Sequence, residues 1–425
     1  MGRTLAEKII ARAAGRETVS PGEIVTCTVD LAMMHDSGGP RRVKPILERL
    51  AATVWDSDKV IVVSDHYVPA VDAESAAILD LTRKWTADNG IRNFYDMQGI
   101  CHVVLPERGH LRPGMFVVGG DSHSPTGGAF GCFMFGVGAT DMAGVLVTGE
   151  TWIRVPGTIR IDIHGALADG VSAKDIILHL CARLGMGGAG YQAVQYTGDT
   201  ISTLAMQERM TLSNMAAELG AQTGLIAPDE TTTAYIRKAG GDPGDAANWQ
   251  SDDDASYLAT HRVEADKLAP YVAAPHSPAN SAPVNEHAGV AVQQAYIGAC
   301  TGAKLDDLHM AARVLKGRLV ARGTRLLIAP ASTRTTATAA ADGTLAILTE
   351  AGAILMPSGC GACAGYGAGI LADGEVCISS TARNFKGRMG SSSSKVYLGS
   401  PYTVAASAVA GRIADPRDLL ESNAR

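Results

Sequence analysis

Short β-branched runs alternate with helical stretches along almost all of this chain, and that alternation narrows the possible folds more than any other feature. VIVVSDHYVPA reads as a buried strand that passes into a loop at Ser64, and SAAILDLTRKWTADNG as a helix closed by Gly90. MFVVGGDSHSPTGGAFG reads as another strand followed by a Gly-rich turn. TIRIDIHG alternates as a half-buried strand does, and SAKDIILHLCARLG is a helix that stops at Gly185. Strands that alternate with helices predict an α/β architecture of parallel sheets, with ligands at the carboxyl ends of the strands.

Thr4 and Glu7 form a capping box for a first helix, with Leu5, Ile9 and Ile10 on one face. The stretch 268–288, LAPYVAAPHSPANSAPVNEHA, is rich in Pro, Ala, Ser and Asn and reads as a linker. Beyond it a second α/β unit is expected: a strand ending at Cys300, a helix over 304–315, the strand RLLIAPA, a helix within 335–351, and the strand AILMPSG ending at Cys360. Ser400 caps a last helix that has Pro401 at its first position. GMGGAG at 185–190 fits G-x-G-x-x-G, yet it follows a helical stretch where a dinucleotide motif must follow a strand. It reads as a helix stop and loop, with a nicotinamide dehydrogenase as the weak alternative.

The chain of 425 residues has room for several domains. A net charge of -6 gives no reason to expect nucleic acid or an anionic membrane as the partner. The N-terminus has no signal-peptide core, and no apolar stretch reaches membrane-spanning length, so the expected location is cytoplasmic. In that setting the eight cysteines are expected as thiols, with Cys27, Cys101, Cys132, Cys181 and Cys377 buried.

The remaining cysteines are Cys300 in IGACTGAK, and Cys360 and Cys363 in PSGCGACAGYGAG. Three thiolates can hold a [4Fe-4S] cube and leave one iron free to act as a Lewis acid. C-x-x-C also fits half of a zinc site, a redox pair or a chance pairing, and spacing alone leaves these readings open.

The segments GDSHSPTGGAFGCFMFGVGATDM, GICHVVLPE, SDH, SNMAAELGA and RNFKGRMG together resemble the aconitase family. Within it they are most similar to the isopropylmalate dehydratase large-subunit group, which includes homoaconitase, 2-methylmalate, 2,3-dimethylmalate and maleate hydro-lyases. The resemblance implies an aconitase-like three-domain α/β/α large subunit without the C-terminal swivelling domain. Residues 1–160 would carry the Asp-His and Asp-Ser-His elements, 161–285 the Asn-Glu helix, and 286–425 the cysteines and an Arg pair. It also implies an iron–sulfur hydro-lyase, with a [4Fe-4S] cluster on Cys300, Cys360 and Cys363. Asp65, His66, His102, Asp121, His123 and Glu218 would be catalytic. Ser122, Asn214, Arg383, Arg388 and His35 would face the substrate, a hydroxy dicarboxylate gripped by guanidinium forks. Asn214 and Glu218 lie four apart and are expected on one helix face. A separate small subunit is expected to supply the swivelling domain.

Four positions depart from the family pattern. Gly302 and Ala382 stand where relatives usually have Asn, Lys304 where they often have Arg, and Gln195 where they often have Glu. The expected substrate is 3-isopropylmalate. A methylmalate, dimethylmalate or maleate-type substrate is the alternative that Gly302 and Ala382 favour. The rival from another class is an RNA-binding iron sensor active in the cluster-free form, and the acidic balance and lack of a basic stripe count against it.

Overall fold

The computed structural model describes residues 2–421; residue 1 and residues 422–425, the outermost parts of the first and third expected domains, lie outside the described residues. Three parallel or mostly parallel sheets organise the chain. The first has five strands in the spatial order Asn93–Asp96, Val60–Ser64, Leu31–His35, Phe116–Gly119, Phe133–Gly136, all parallel. The second has four parallel strands, Thr223–Ile226, Ala193–Thr197, Thr158–His164 and Ala259–Glu264. The third has seven, in the order Ser281–Pro283, Tyr271–Ala273, Lys395–Leu398, Val376–Ser379, Gln294–Ile297, Arg325–Ile328, Ile354–Leu355. A small antiparallel ribbon pairs Ile24–Thr28 with Glu150–Arg154.

Helices cover the parallel sheets, so their central strands are apolar on both faces. Val60, Ile61, Val62 and Val63 are all fully buried. Each such side chain contributes about 1.5–3 kcal/mol of burial free energy. The first helix, Leu5–Ala13, carries the expected Thr4–Glu7 capping box and buries Leu5, Ile9 and Ile10. Ser400 caps the helix Pro401–Ala410, which is buried on nearly every side. The helix Ala173–Leu184 stops at Gly185, and the GMGGAG stretch is a loop. Cys27, Cys101, Cys132, Cys181 and Cys377 are buried thiols.

Three expectations are corrected. The linker region holds a hairpin, Tyr271–Ala273 with Ser281–Pro283, that joins the third sheet beside Lys395–Leu398. The helix expected within 335–351 is two helices, Thr333–Ala341 and Thr344–Glu350, parted at Gly343, whose φ of 85° ends the first. The Gly-rich stretch after Phe116–Gly119, expected as a turn, is a buried 3₁₀ segment, Ser124–Phe130. Gly128 has no room for a Cβ there, since one would sit 1.9 Å from the Gly224 carbonyl oxygen.

The chain order fixes where a ligand can sit. In the first sheet the chain builds outward from Leu31–His35 to one side, then returns to start the other side at Phe116–Gly119. In the third sheet it builds from Gln294–Ile297 toward Ile354–Leu355, then returns to Val376–Ser379. Each reversal opens a crevice at the strand carboxyl ends. His35 and Asp121 belong to the first crevice, and Cys300 and Arg383 to the second.

Candidate active site

Every sequence-predicted site residue follows the carboxyl end of a strand or lies on a segment packed against one. Asp65 and His66 follow Val60–Ser64, and Asp121, Ser122 and His123 follow Phe116–Gly119. Cys300 follows Gln294–Ile297, and Arg383 and Arg388 follow Val376–Ser379. His102 lies on the short buried helix Cys101–Glu107. Cys360 immediately precedes a 3₁₀ turn, Gly361–Ala364, and Cys363 lies within it.

The histidine, carboxylate, Ser122 and Arg383 side chains form one connected network, and the cysteine loops meet it through Asn214 and the Cys360 backbone. His66 Nδ1 is 2.6 Å from Asp65 Oδ1. The His66 ring stacks on His35, and His35 Nε2 lies 3.1 Å from the Gly120 carbonyl and 3.7 Å from Asp121 Oδ2. Asp121 Oδ1 is 2.7 Å from His102 Nε2 and accepts the His123 backbone N–H at 2.7 Å. His123 Nε2 is 3.2 Å from Glu218 Oε1. That same oxygen accepts from Arg383 Nε at 2.7 Å, and Arg383 Nη1 donates to Ser122 Oγ at 2.8 Å. Asn214 Nδ2 donates to Thr126 Oγ1 at 2.8 Å and to Cys300 Sγ at 3.1 Å. The Cys360 backbone N–H donates to the Asp65 carbonyl at 2.8 Å, which ties the third sheet to the first. A cleft of about 400 Å³ opens onto this network and is lined by Asp121, Ser122, Pro125, Tyr191 and Arg383.

The charges are held in place by one another. Burial alone would raise Asp121, but the His102 and His123 imidazoles hold it well below the ordinary carboxylate range. Burial likewise acts to raise Glu218, and His123 and Arg383 bring it below its usual value. His66 is pulled down by burial, yet the carboxylates of Asp65, Asp36 and Asp121 lift it to about 9.

One expectation about local geometry fails. Asn214 ends the α-helix Met206–Met215, whereas Glu218 lies on the 3₁₀ turn Ala216–Leu219 that follows. The tighter turn separates the two side chains: Asn214 reaches the cysteine loop, and Glu218 reaches His123 and Arg383.

Asp36 was not singled out from the sequence. It is fully buried, accepts the backbone N–H groups of His66 and Tyr67, and lies 3.7 Å from His66 Nδ1. A signal existed, because the His-Asp pair ending LAMMHD mirrors the Asp-His pair ending VIVVSDH on the neighbouring parallel strand. Lys174 is the second omission; its Nζ donates to Thr301 Oγ1, the Ser380 carbonyl and the Thr381 carbonyl.

The departure at Gly302 has a packing cause. A Cβ there would lie 2.1 Å from Ser380 Oγ, which bonds the Gly298 N–H and the Gly302 carbonyl. Ala382 is buried with the apolar side chains around the second sheet. Neither residue lines the cleft.

The donor set of the three cysteines, on two loops, suits a thiolate-bound iron–sulfur group. Burial, together with the nearby Cys363 and Asp121, pushes the Cys300 thiol up to about 12, and burial with Asp65 and the other two sulfurs pushes Cys360 well above its usual value. Packed thiols of this kind ionise readily only with a cation among them. Beside them Arg388 Nε and Asn214 Oδ1 are buried without a hydrogen-bond partner, as are Glu218 Oε2 and His102 Nδ1 elsewhere in the site. The sulfur of Cys363 also favours the Arg388 charge against the burial that opposes it.

The aconitase family (aconitate hydratase) matches residues 7–290 and 286–411. A 3-isopropylmalate dehydratase large subunit 1 from Methanopyrus kandleri is 46% identical over 99% of this chain and 100% of its own length. A probable methanogen homoaconitase large subunit from Methanothermobacter thermautotrophicus is 43% identical over 97% of each chain. Among solved structures, Thermococcus kodakaraensis aconitase X in its holo-form covers 84% of each chain with a TM-score of 0.52 at 13% identity, a likeness of fold alone. Among the described residues no helix is long and apolar enough to cross a membrane. With the family match spanning nearly the whole sequence and full-length relatives above two-fifths identity, this chain belongs to the aconitase family.

Proposed function

We propose that this chain is the large subunit of an iron–sulfur hydro-lyase that removes water from a hydroxy dicarboxylate, with 3-isopropylmalate as the substrate. The observation that carries the reading is the joining of two cysteine-bearing loops and two histidine–carboxylate groups into one network beside an open cleft. The relatives' names support the substrate and the need for a small-subunit partner. A methylmalate, dimethylmalate or maleate-type substrate, which Gly302 and Ala382 favour, is the second reading, and the substrate assay below separates the two.

A [4Fe-4S] cluster held by Cys300, Cys360 and Cys363 would supply a Lewis-acidic iron that polarises the substrate hydroxyl. Asp65 fixes the orientation of His66 through Nδ1, so Nε2 is the nitrogen left to hold a proton toward a departing hydroxyl. The carbon–oxygen bond breaks, and the hydroxyl leaves as water with that proton. Asp121 holds His102 and His123 together, and Glu218 fixes Arg383 so that the guanidinium faces the cleft beside Ser122. Arg383 and Arg388 orient the substrate carboxylates. The base for the carbon-bound proton comes from the small subunit.

Anaerobic reconstitution with iron and sulfide, followed by assay with the small subunit on several hydroxy dicarboxylates, tests this reading. The expected result is cubane absorption and turnover of 3-isopropylmalate, both abolished in Cys300→Ser. Zinc in place of iron, or turnover that survives Cys300→Ser, would remove the basis for the assignment.

A further inference from the structure

Lys174 sits at the start of the helix Ala173–Leu184, in the second sheet's part of the chain, yet its ammonium lies beneath the site loops of the third sheet. Only 2% of the residue is exposed. Nζ donates to Thr301 Oγ1 at 3.3 Å, to the Ser380 carbonyl at 3.0 Å and to the Thr381 carbonyl at 2.7 Å. The Thr301 hydroxyl spends its own hydrogen on the Ser380 carbonyl, so toward Lys174 it can only accept. Three acceptors require three N–H donors, and a lysine has three only when it is charged.

All three acceptors are neutral. Among the described residues no carboxylate bonds this ammonium. The adjacent Asp175 spends its oxygens on Tyr271 N–H and on Ser172. The other buried lysine of the region, Lys304, pairs with Asp307 at 2.7 Å and also donates to Thr211 Oγ1 and the Cys300 carbonyl. Burial and then the neighbouring Lys304 oppose the Lys174 charge and bring it down to about 8, whereas Asp307 and, after it, the sulfurs of Cys300 and Cys363 favour it. An ammonium removed from water with no anion bonded to it carries a desolvation penalty. A thiolate-bound iron–sulfur group is anionic overall, and its placement on those two cysteines would cancel that penalty.

We propose that Lys174 is the counter-charge for the iron–sulfur group and sets its reduction potential, while its three hydrogen bonds hold the Cys300 loop to the loop that leads to Arg383. The inference rests on the iron–sulfur reading of the site. Lys174 is a positioning residue: it touches the loops and not the substrate. The net charge around a cluster is one of the terms that sets its potential. Removal of a buried positive charge disfavours the added electron, so the potential falls.

The test uses the full chain, reconstituted anaerobically, in wild-type, K174M, K174Q and K174R forms. Iron and sulfide content is measured first, and a dithionite titration then follows the EPR signal of the reduced cluster. K174M and K174Q are expected to reduce at a more negative potential than wild type, and K174R at the wild-type potential. Equal potentials in all four overturn the assignment. If the neutral variants fail to load while K174R loads, the charge is needed for loading and the assignment stands. If K174R also fails to load, Lys174 is a loop staple only and the charge assignment falls. A wild-type chain that takes up no iron and sulfide defeats the reading of the site itself, independently of Lys174.

Discussion

The imidazoles of His35 and His66 stack with centroids 4.1 Å apart and planes 19° apart, and at neutral pH the two carry different charges. Burial, reinforced by the charge of His66, lowers His35 to about 4. Asp65, Asp36 and Asp121 overcome burial and lift His66 to about 9. One ring is therefore neutral and its neighbour is an acid.

A pH dependence follows. His66 keeps its proton below about 9 and loses it above, so kcat/KM for dehydration should fall as pH rises past that value. Asp36→Asn removes one of the carboxylates that support the charge. It should move the alkaline limb down by roughly one pH unit. An alkaline limb that stays in place in the variant would show that another group is the acid.

The Asn214 side-chain amide donates to the sulfur of Cys300. Asn214→Ala should weaken iron retention about 10- to 100-fold, the usual effect of removing a group that supports a metal ligand. Iron release to a chelator under anaerobic conditions measures it. Retention equal to wild type would mean that the 3.1 Å contact contributes nothing to loading.

Arg383 donates through Nε to Glu218 and through Nη1 to Ser122. A lysine cannot span both directions with a planar fork. Arg383→Lys should lower kcat/KM by about 10- to 100-fold, the equivalent of one charged hydrogen bond of ~1.5–3 kcal/mol. An unchanged kcat/KM would place Arg383 outside the substrate-orienting set.

Glu208 accepts the Ala173 backbone N–H at 3.1 Å, and burial lifts its carboxyl from 4.5 to about 7. The folded chain thus holds a proton that the unfolded chain releases between those values. The associated stability is fully present below pH 4.5 and is lost as pH rises through about 7. Glu208→Gln keeps the acceptor oxygen and cannot ionise. At pH 8 it should be about 3 kcal/mol more stable than wild type, with no difference near pH 4.5. Denaturant melts at the two pH values check this, and a constant gap between the proteins would contradict it.

Much of the site was legible because its residues sit at strand ends. A buried β-branched run followed at once by Asp, His or Cys is a local pattern, and the parallel sheets bring such ends together without further instruction. Asp36 and Lys174 escaped because their importance is tertiary: one lies under His66, and the other crosses from the second sheet to the third. Asn214 and Glu218 were assigned to one helix face because four-residue spacing assumes an α-helix that in fact ends at Met215. The hairpin inside 268–288 was hidden by its Pro-, Ala- and Ser-rich composition, although Val272 and Ala273 are fully buried.

The bond from the Cys360 backbone to the Asp65 carbonyl crosses from one sheet's territory to another's, as do the Asn214–Cys300 and Arg383–Glu218 contacts. No single layer owns the chemistry. A slight parting of the layers would silence this enzyme while each layer stayed intact, so loss of turnover should announce damage well before any melting curve does.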